Sequence, residues 1–181
     1  MKGPVDVALG YVGYLEHGTP DLLGVFTANA GKGGYTIFSW IISRYYRRDF
    51  QGLPWCAVFL YAVYLEAMGK EAEKLLGKPH PGTKVLFRRL RRKGRIHGKS
   101  WMPRPGDIIF LSNFGNGKIG HVGIVVKTDE KMVYSVEGNT VDPSGLFKRE
   151  DGGAVALRER VFDDPAIVCY GEIQEGSGRD D

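Results

Sequence analysis

Cysteine is scarce in this chain. The 181 residues hold only Cys56 and Cys169, so one disulfide is the most that could form and a cysteine-rich zinc cage is excluded. Histidine is nearly as sparse. His17, His80, His97 and His121 are scattered, nowhere at ligand spacing, so no metal is expected. No apolar run is long enough for a membrane span, and residues 1–10 lack the apolar core of a secretory leader, which leaves the compartment open. A glycine-rich stretch at 29–35 lacks the Lys-Ser/Thr ending of a phosphate loop, so it reads as the edge of a groove, and no cofactor is expected.

What is present is ordinary for a globular protein: 43% hydrophobic and 25% charged residues, with no low-complexity tract. The length suits one domain, taken here as residues 1–173, with a polar tail at 174–181 expected to fray. Aromatic residues at 12% and 26 glycines suggest a loop-rich mixed fold with a lined groove. The net charge of +4 permits an anionic partner without naming one. Lys84, Arg88, Arg89, Arg91, Arg92 and Lys93 share one side of a helical stretch. Such a run is usually a solvated face, and no nucleic-acid motif accompanies it, so no nucleic acid is expected.

Helical patterns come first. Val5, Ala8, Leu9, Val12 and Leu15 recur at helical spacing and predict an amphipathic helix over 5–16, ended at His17-Gly18-Thr19-Pro20. His17, beside that turn, reads as a surface residue. Residues 21–27 read as a short helix and 36–46 as an aromatic-rich one. The run over 55–68 is apolar almost all round, with Pro54 before it and Gly69 as its stop, so a centrally buried helix is predicted. Residues 71–78 and 83–93 complete the helices. From Pro103 the pattern becomes extended, with strands at 106–111, 121–128, 131–138, 154–162 and 167–173. Helices followed by hairpin-connected strands predict an α+β fold, the helices packed on an antiparallel sheet.

Cys56 falls in the first turn of the buried helix, where free N–H groups and the positive dipole end favour a thiolate. Cys169, in an apolar strand, reads as a core residue. In the 121–138 hairpin, His121 lies on the same face as either Glu137 or Asn139, depending on register. A three-residue turn at 128–130 sets His121 opposite Glu137; a five-residue loop at 128–132 sets it opposite Asn139. Thiolate, imidazole and a polar group that fixes the imidazole are the three parts of a cysteine-protease type site. The Cys56 N–H is a candidate oxyanion donor.

Four blocks carry a resemblance: Pro54-Trp55-Cys56-Ala57, Pro105-Gly106-Asp107-Ile108-Ile109-Phe110, Gly120-His121-Val122-Gly123-Ile124-Val125 and Glu137-Gly138-Asn139-Thr140. Together they resemble the CHAP domain, the cysteine, histidine-dependent amidohydrolase/peptidase group related to the NlpC/P60 enzymes. The resemblance implies a papain-like core, a sheet or half-barrel behind the helices, and cleavage of an amide bond in the peptide part of peptidoglycan. The bond would be the N-acetylmuramoyl-L-alanine amide or a cross-bridge peptide. It implies Cys56 as nucleophile, His121 as base and then acid, Glu137 as orienter and Asn139 as a fourth polar member. Trp55, Tyr35 and Gln51 are candidate substrate-binding residues, Gln51 also for the second oxyanion donor. The chain departs from some members in having Trp55 rather than Gln before the cysteine. It also offers one carboxylate, Asp49, where those members carry an acidic calcium loop.

Bacterial wall peptidoglycan is the partner this implies, with a monomeric protein acting on it. Two other readings stay open: the same triad on a small non-wall amide or peptide, and a silent module that binds wall or nucleic acid.

Overall fold

The computed structural model describes residues 2–113, 115–143 and 152–173. In them α1 (Pro4–Gly10), α2 (Ile37–Tyr46), α3 (Cys56–Met68), α4 (Ala72–Leu76) and α5 (Thr83–Arg92) precede the strands. These are β1 (Ile96–His97), β2 (Ile108–Leu111), β3 (His121–Thr128), β4 (Met132–Thr140), β5 (Ala154–Val161) and β6 (Ile167–Gly171). The sheet order is β1-β6-β2-β3-β4-β5, and every neighbouring pair is antiparallel. The fold is therefore α+β, with the helices preceding an antiparallel sheet. No helix among the described residues is long and apolar enough to cross a membrane.

α3 is the hub. Every residue from Cys56 to Leu65 is buried, as a helix without a polar face requires. It starts directly after Trp55 and stops at Gly69, whose φ of 60° suits a residue without Cβ. α2 and α1 pack on one side of it, and β3 and β4 on another. The contact with β4 depends on Gly138. A Cβ there would lie 2.5 Å from Phe59 Cβ and 2.8 Å from Trp55 Cζ3. The missing side chain lets the first turn of α3 come down onto the strand.

Strand alternation divides the core. Ile108, Phe110, Val122, Ile124 and Val136 face the helices, whereas Ile109, Leu111, Val125, Val133, Ile167 and Tyr170 form a smaller cluster of their own. Cys169 belongs to the larger core, paired with Phe110, and its burial pushes the thiol up to about 11. Both cysteines are free thiols. Asp107, buried at the head of β2, accepts from the Arg104 and Ile173 amides at 2.7 and 2.9 Å, tying β2 to the end of β6.

The residues before α2 depart from the periodicity. α1 stops at Gly10, and Gly13 has a φ of 92°, so the expected helix over 5–16 covers only its first half. Leu15 to His17 run extended instead. Glu16 N–H donates to Gly153 O at 2.7 Å, and His17 and Tyr35 exchange backbone bonds. That pairing carries His17 inward. It is fully buried, stacked on Tyr14 with ring centroids 5.5 Å apart, which corrects its reading as a surface residue. Residues 21–27 form turns rather than a helix. α2 appears where expected, Thr36 capping it through the Ser39 N–H at 3.4 Å. β1 is two residues long and carried no strand pattern.

α5 turns Leu86 and Leu90 to the core and its arginines mostly to solvent, apart from Arg89, whose guanidinium reaches the Tyr61 hydroxyl at 2.9 Å. The tail at 174–181 lies outside the described residues.

Gly138→Ala should destabilise the protein by about 1–3 kcal/mol through overpacking against Phe59 and Trp55. Chemical denaturation read by far-UV circular dichroism should show a lower midpoint with an unchanged slope.

Candidate active site

The loop after α2 delivers Pro54 and Trp55 to the start of α3, so Cys56 is the first helical residue. Its N–H and the next ones have no partner within the helix, and Pro54, Trp55 and Cys56 line a cleft. β3 begins at the same place with His121. The β3–β4 pairing sets Ile124 opposite Val136 and Val125 opposite Ser135, with an irregularity between Val125 and Lys127. Extended to the strand end, this register sets His121 across from Asn139 and Gly123 across from Glu137. It is the register that the five-residue loop would have given, but the turn itself matches neither alternative: Thr128 pairs with Val133, and the irregularity between Val125 and Lys127 makes up the difference.

The orienting hydrogen bond nonetheless comes from Glu137. Its Oε2 lies 3.0 Å from His121 Nε2, a diagonal contact across the pair. Gly123 makes the diagonal possible, since a Cβ there would sit 2.7 Å from Glu137 Cγ. Cys56 lines the same cleft and acts on the imidazole, whose Nε2 is engaged by Glu137. The side chains of His121 and Glu137 are 15% and 1% exposed. Burial by itself would lower the His121 pKa. The hydrogen bonds and charges of Cys56 and Glu137 outweigh it and push the group up to about 10. Burial would likewise raise the Glu137 carboxyl. His121 and Arg160 override it and hold the group down at about 2.

Residues 48–139 match the family model of the CHAP domain. The chain belongs to the CHAP domain family. Neither the curated proteins nor the solved structures contain a match to it. CHAP domains are typically hydrolases, amidases or peptidases, and membership points to an activity related to peptidoglycan.

The cleft of this CHAP domain has a volume of about 1000 Å³, and Cys56, His121, Glu137 and Asn139 all line it. Asn139 has a φ of 56° at an irregularity in the β4–β5 pairing, where Gly152 passes close to its carbonyl. The glycine-rich stretch does form a groove edge, through Lys32, Gly33 and Gly34.

The three proposed substrate-contacting residues are placed differently. Trp55 is at the wall of the cleft but only 1% exposed, stacked on Phe38 at 5.5 Å, so its ring is a support and not an open platform. Tyr35 is held in backbone pairing with His17 and is not among the residues lining the cleft. Gln51 is consumed by the α2 cap: its Oε1 accepts from Thr36 N–H at 2.7 Å and its Nε2 donates to Thr36 O at 2.9 Å. Its amide is held at that cap, and Gln51 is not among the residues lining the cleft. Asp49 is similarly engaged, by Ser39 Oγ and the Gln51 N–H.

Two charged residues of the cleft were not singled out by motif. Glu16 accepts the Trp55 indole N–H at 2.8 Å, bracing the residue before the cysteine. The predicted helix concealed it, because a charge at that position belonged to a polar face. Arg160 bonds to Glu137 Oε1 at 2.5 Å. It lies outside the matched residues, and the signal for it was strand parity: Ala156, Arg158 and Arg160 share the face of β5 that carries the partners of Glu137, Ser135 and Val133.

The ion pairs imply a definite dependence of stability on pH. Glu137, with its pKa lowered in the fold, stabilises above the ordinary carboxylate range, and that contribution fades as pH falls towards 2. His121, with its pKa raised, stabilises most below its ordinary value, and that contribution is lost as pH rises towards 10. Glu137→Gln should therefore cost about 3–5 kcal/mol near pH 6, the scale for breaking a buried pair, and the gap to the parent should narrow on acidification. Thermal unfolding of both proteins between pH 3 and 9 checks this.

Proposed function

We propose that this CHAP domain is a cysteine-dependent peptidoglycan hydrolase that cuts an amide bond in the wall peptide. The observation that carries the reading is one imidazole, bonded to a buried carboxylate, that shares a cleft with a cysteine at a helix N-terminus. This is a nucleophile, a proton carrier and an orienter in the order that acyl transfer needs. A cysteine at the start of a central helix facing a histidine at the start of a sheet strand is also what a papain-like arrangement requires.

In the proposed reaction the Cys56 thiolate, favoured by the helix N-terminus, attacks the peptide carbonyl. The N–H groups of the first turn of α3 stabilise the oxyanion. The imidazolium of His121 gives its proton to the departing amine as the C–N bond breaks, leaving a thioester on Cys56. The neutral imidazole then takes a proton from water, whose oxygen attacks the thioester. Cys56 leaves as thiolate with the imidazolium restored. Glu137 holds the ring and balances its charge through both steps, and Asn139, on the cleft wall, is the fourth polar member. The scissile bond is either the N-acetylmuramoyl-L-alanine amide or a cross-bridge peptide.

Digestion of purified cell walls from several bacteria, with mass spectrometry of the soluble fragments, tests this. Wild type should release fragments whose new ends identify the bond cut. Cys56→Ala should release none while keeping its circular dichroism spectrum, and His121→Ala should behave alike. Glu137→Gln should retain more activity than either, down by about 10²–10⁴-fold, the scale of a misoriented proton-transfer group. An active Cys56→Ala protein would sink the assignment.

A further inference from the structure

Glu137 bears more partners than a histidine orienter needs. Its carboxylate is buried, yet Oε1 accepts from Ser135 Oγ at 2.8 Å and from Arg160 Nη1 at 2.5 Å. Oε2 meets His121 Nε2 at 3.0 Å and Arg160 Nη2 at 3.4 Å. The guanidinium thus spans both oxygens as a fork. It is itself restrained: its side chain is 13% exposed, Nη1 also lies 3.4 Å from Ser135 Oγ, and Nε faces Asp164 Oδ2 at 3.8 Å. Residues on β4, β5 and the turn after β5 therefore fix one arginine against one carboxylate.

We propose that Arg160 is a positioning residue of the active site, a permanent counter-charge that keeps Glu137 ionised and turned towards His121 at every stage of turnover. The inference rests on the catalytic reading of Cys56, His121 and Glu137. The reason lies in the proton cycle. His121 is charged before the amine departs and neutral after it. With the imidazole as its only cationic partner, Glu137 would become an uncompensated buried anion in the second state, which is costly and draws a proton onto the carboxylate. A guanidinium cannot lose its proton, so it covers both states.

The titratable and charged groups around the carboxylate are His121 from β3, Cys56 from α3, Arg160 and Arg158 from the same face of β5, Asp164 from the following turn, and Tyr170 from β6. Arg160 is the cation that touches it besides the imidazole. Its loss makes protonation of Glu137, and of the sulfur beyond it, easier as pH falls. The acid limb of reactivity therefore moves to higher pH.

The test uses the full chain and iodoacetamide, with alkylation of Cys56 followed by mass spectrometry from pH 4 to 9 and buried Cys169 as internal reference. Arg160→Met should shift the acid limb upward by about one pH unit, making alkylation near pH 5 about tenfold slower while the alkaline plateau stays within about threefold. Arg160→Lys, which keeps a cation without the fork, should recover at least half of that shift. In a Glu137→Gln background, Arg160→Met should move the limb no further, since its object is gone. That double variant also removes both buried charges, so it serves if Arg160→Met alone does not fold. A limb unmoved in Arg160→Met, a loss of rate equal at every pH, or a full effect in the Glu137→Gln background would each overturn the inference. A wild-type Cys56 that alkylates like a denatured thiol would instead overturn the catalytic reading beneath it.

Discussion

A helix with no polar face has to be covered on every side, and α3 imposes that requirement on the whole chain. α1 and α2 lie on one flank, and β3 and β4 on another. Because Pro54 and Trp55 lead directly into it, covering the helix also determines where its N-terminus emerges, and with it Cys56. Gly138 sets the last few ångströms by letting Phe59 and Trp55 rest against the backbone of β4. The hydrophobic effect, which is not directional, supplies the driving force; the glycine supplies the direction.

The chemistry stands on the other strength scale. The Cys56–His121–Glu137–Arg160 chain is a buried polar network, and such networks are favourable only when every member is satisfied. Here each oxygen of Glu137 has two partners, and its charge is opposed by the imidazole and the guanidinium. The result is a histidine whose pKa is raised well above its usual range although burial alone would lower it. Two residues without side-chain bulk, Gly123 and Gly138, make both the network and the helix contact possible, one on each face of the hairpin.

Much of this was legible beforehand. The apolar run of α3, the Gly69 stop, and the strand alternation after Pro103 are local signals that the fold leaves intact. The N-terminal segment was not legible to the same degree. Val12 and Leu15 continue a helical period, but Gly10 and Gly13 break it, and the backbone bonds of Glu16 and His17 go to Gly153 and Tyr35 instead. A long-range partner outweighed a weak local preference. The bonds of Gln51 were hidden for a related reason: proximity to Cys56 in sequence says nothing about the Thr36 backbone that its amide meets.

By itself the sequence determined the order of elements, the buried helix with a cysteine at its head, and the presence of a histidine and two polar candidates on one hairpin face. These follow from composition and periodicity, which act over a few residues. Only the tertiary structure decided which candidate bonds the histidine. The backbone register favours Asn139, yet the open space over Gly123 lets the longer Glu137 side chain reach across. Only the tertiary structure brought Arg160 to that carboxylate from a strand distant in sequence. A strand pattern reports which face a side chain occupies, whereas the partner it meets depends on register, bulges and the absence of intervening atoms, which are properties of two chain segments together.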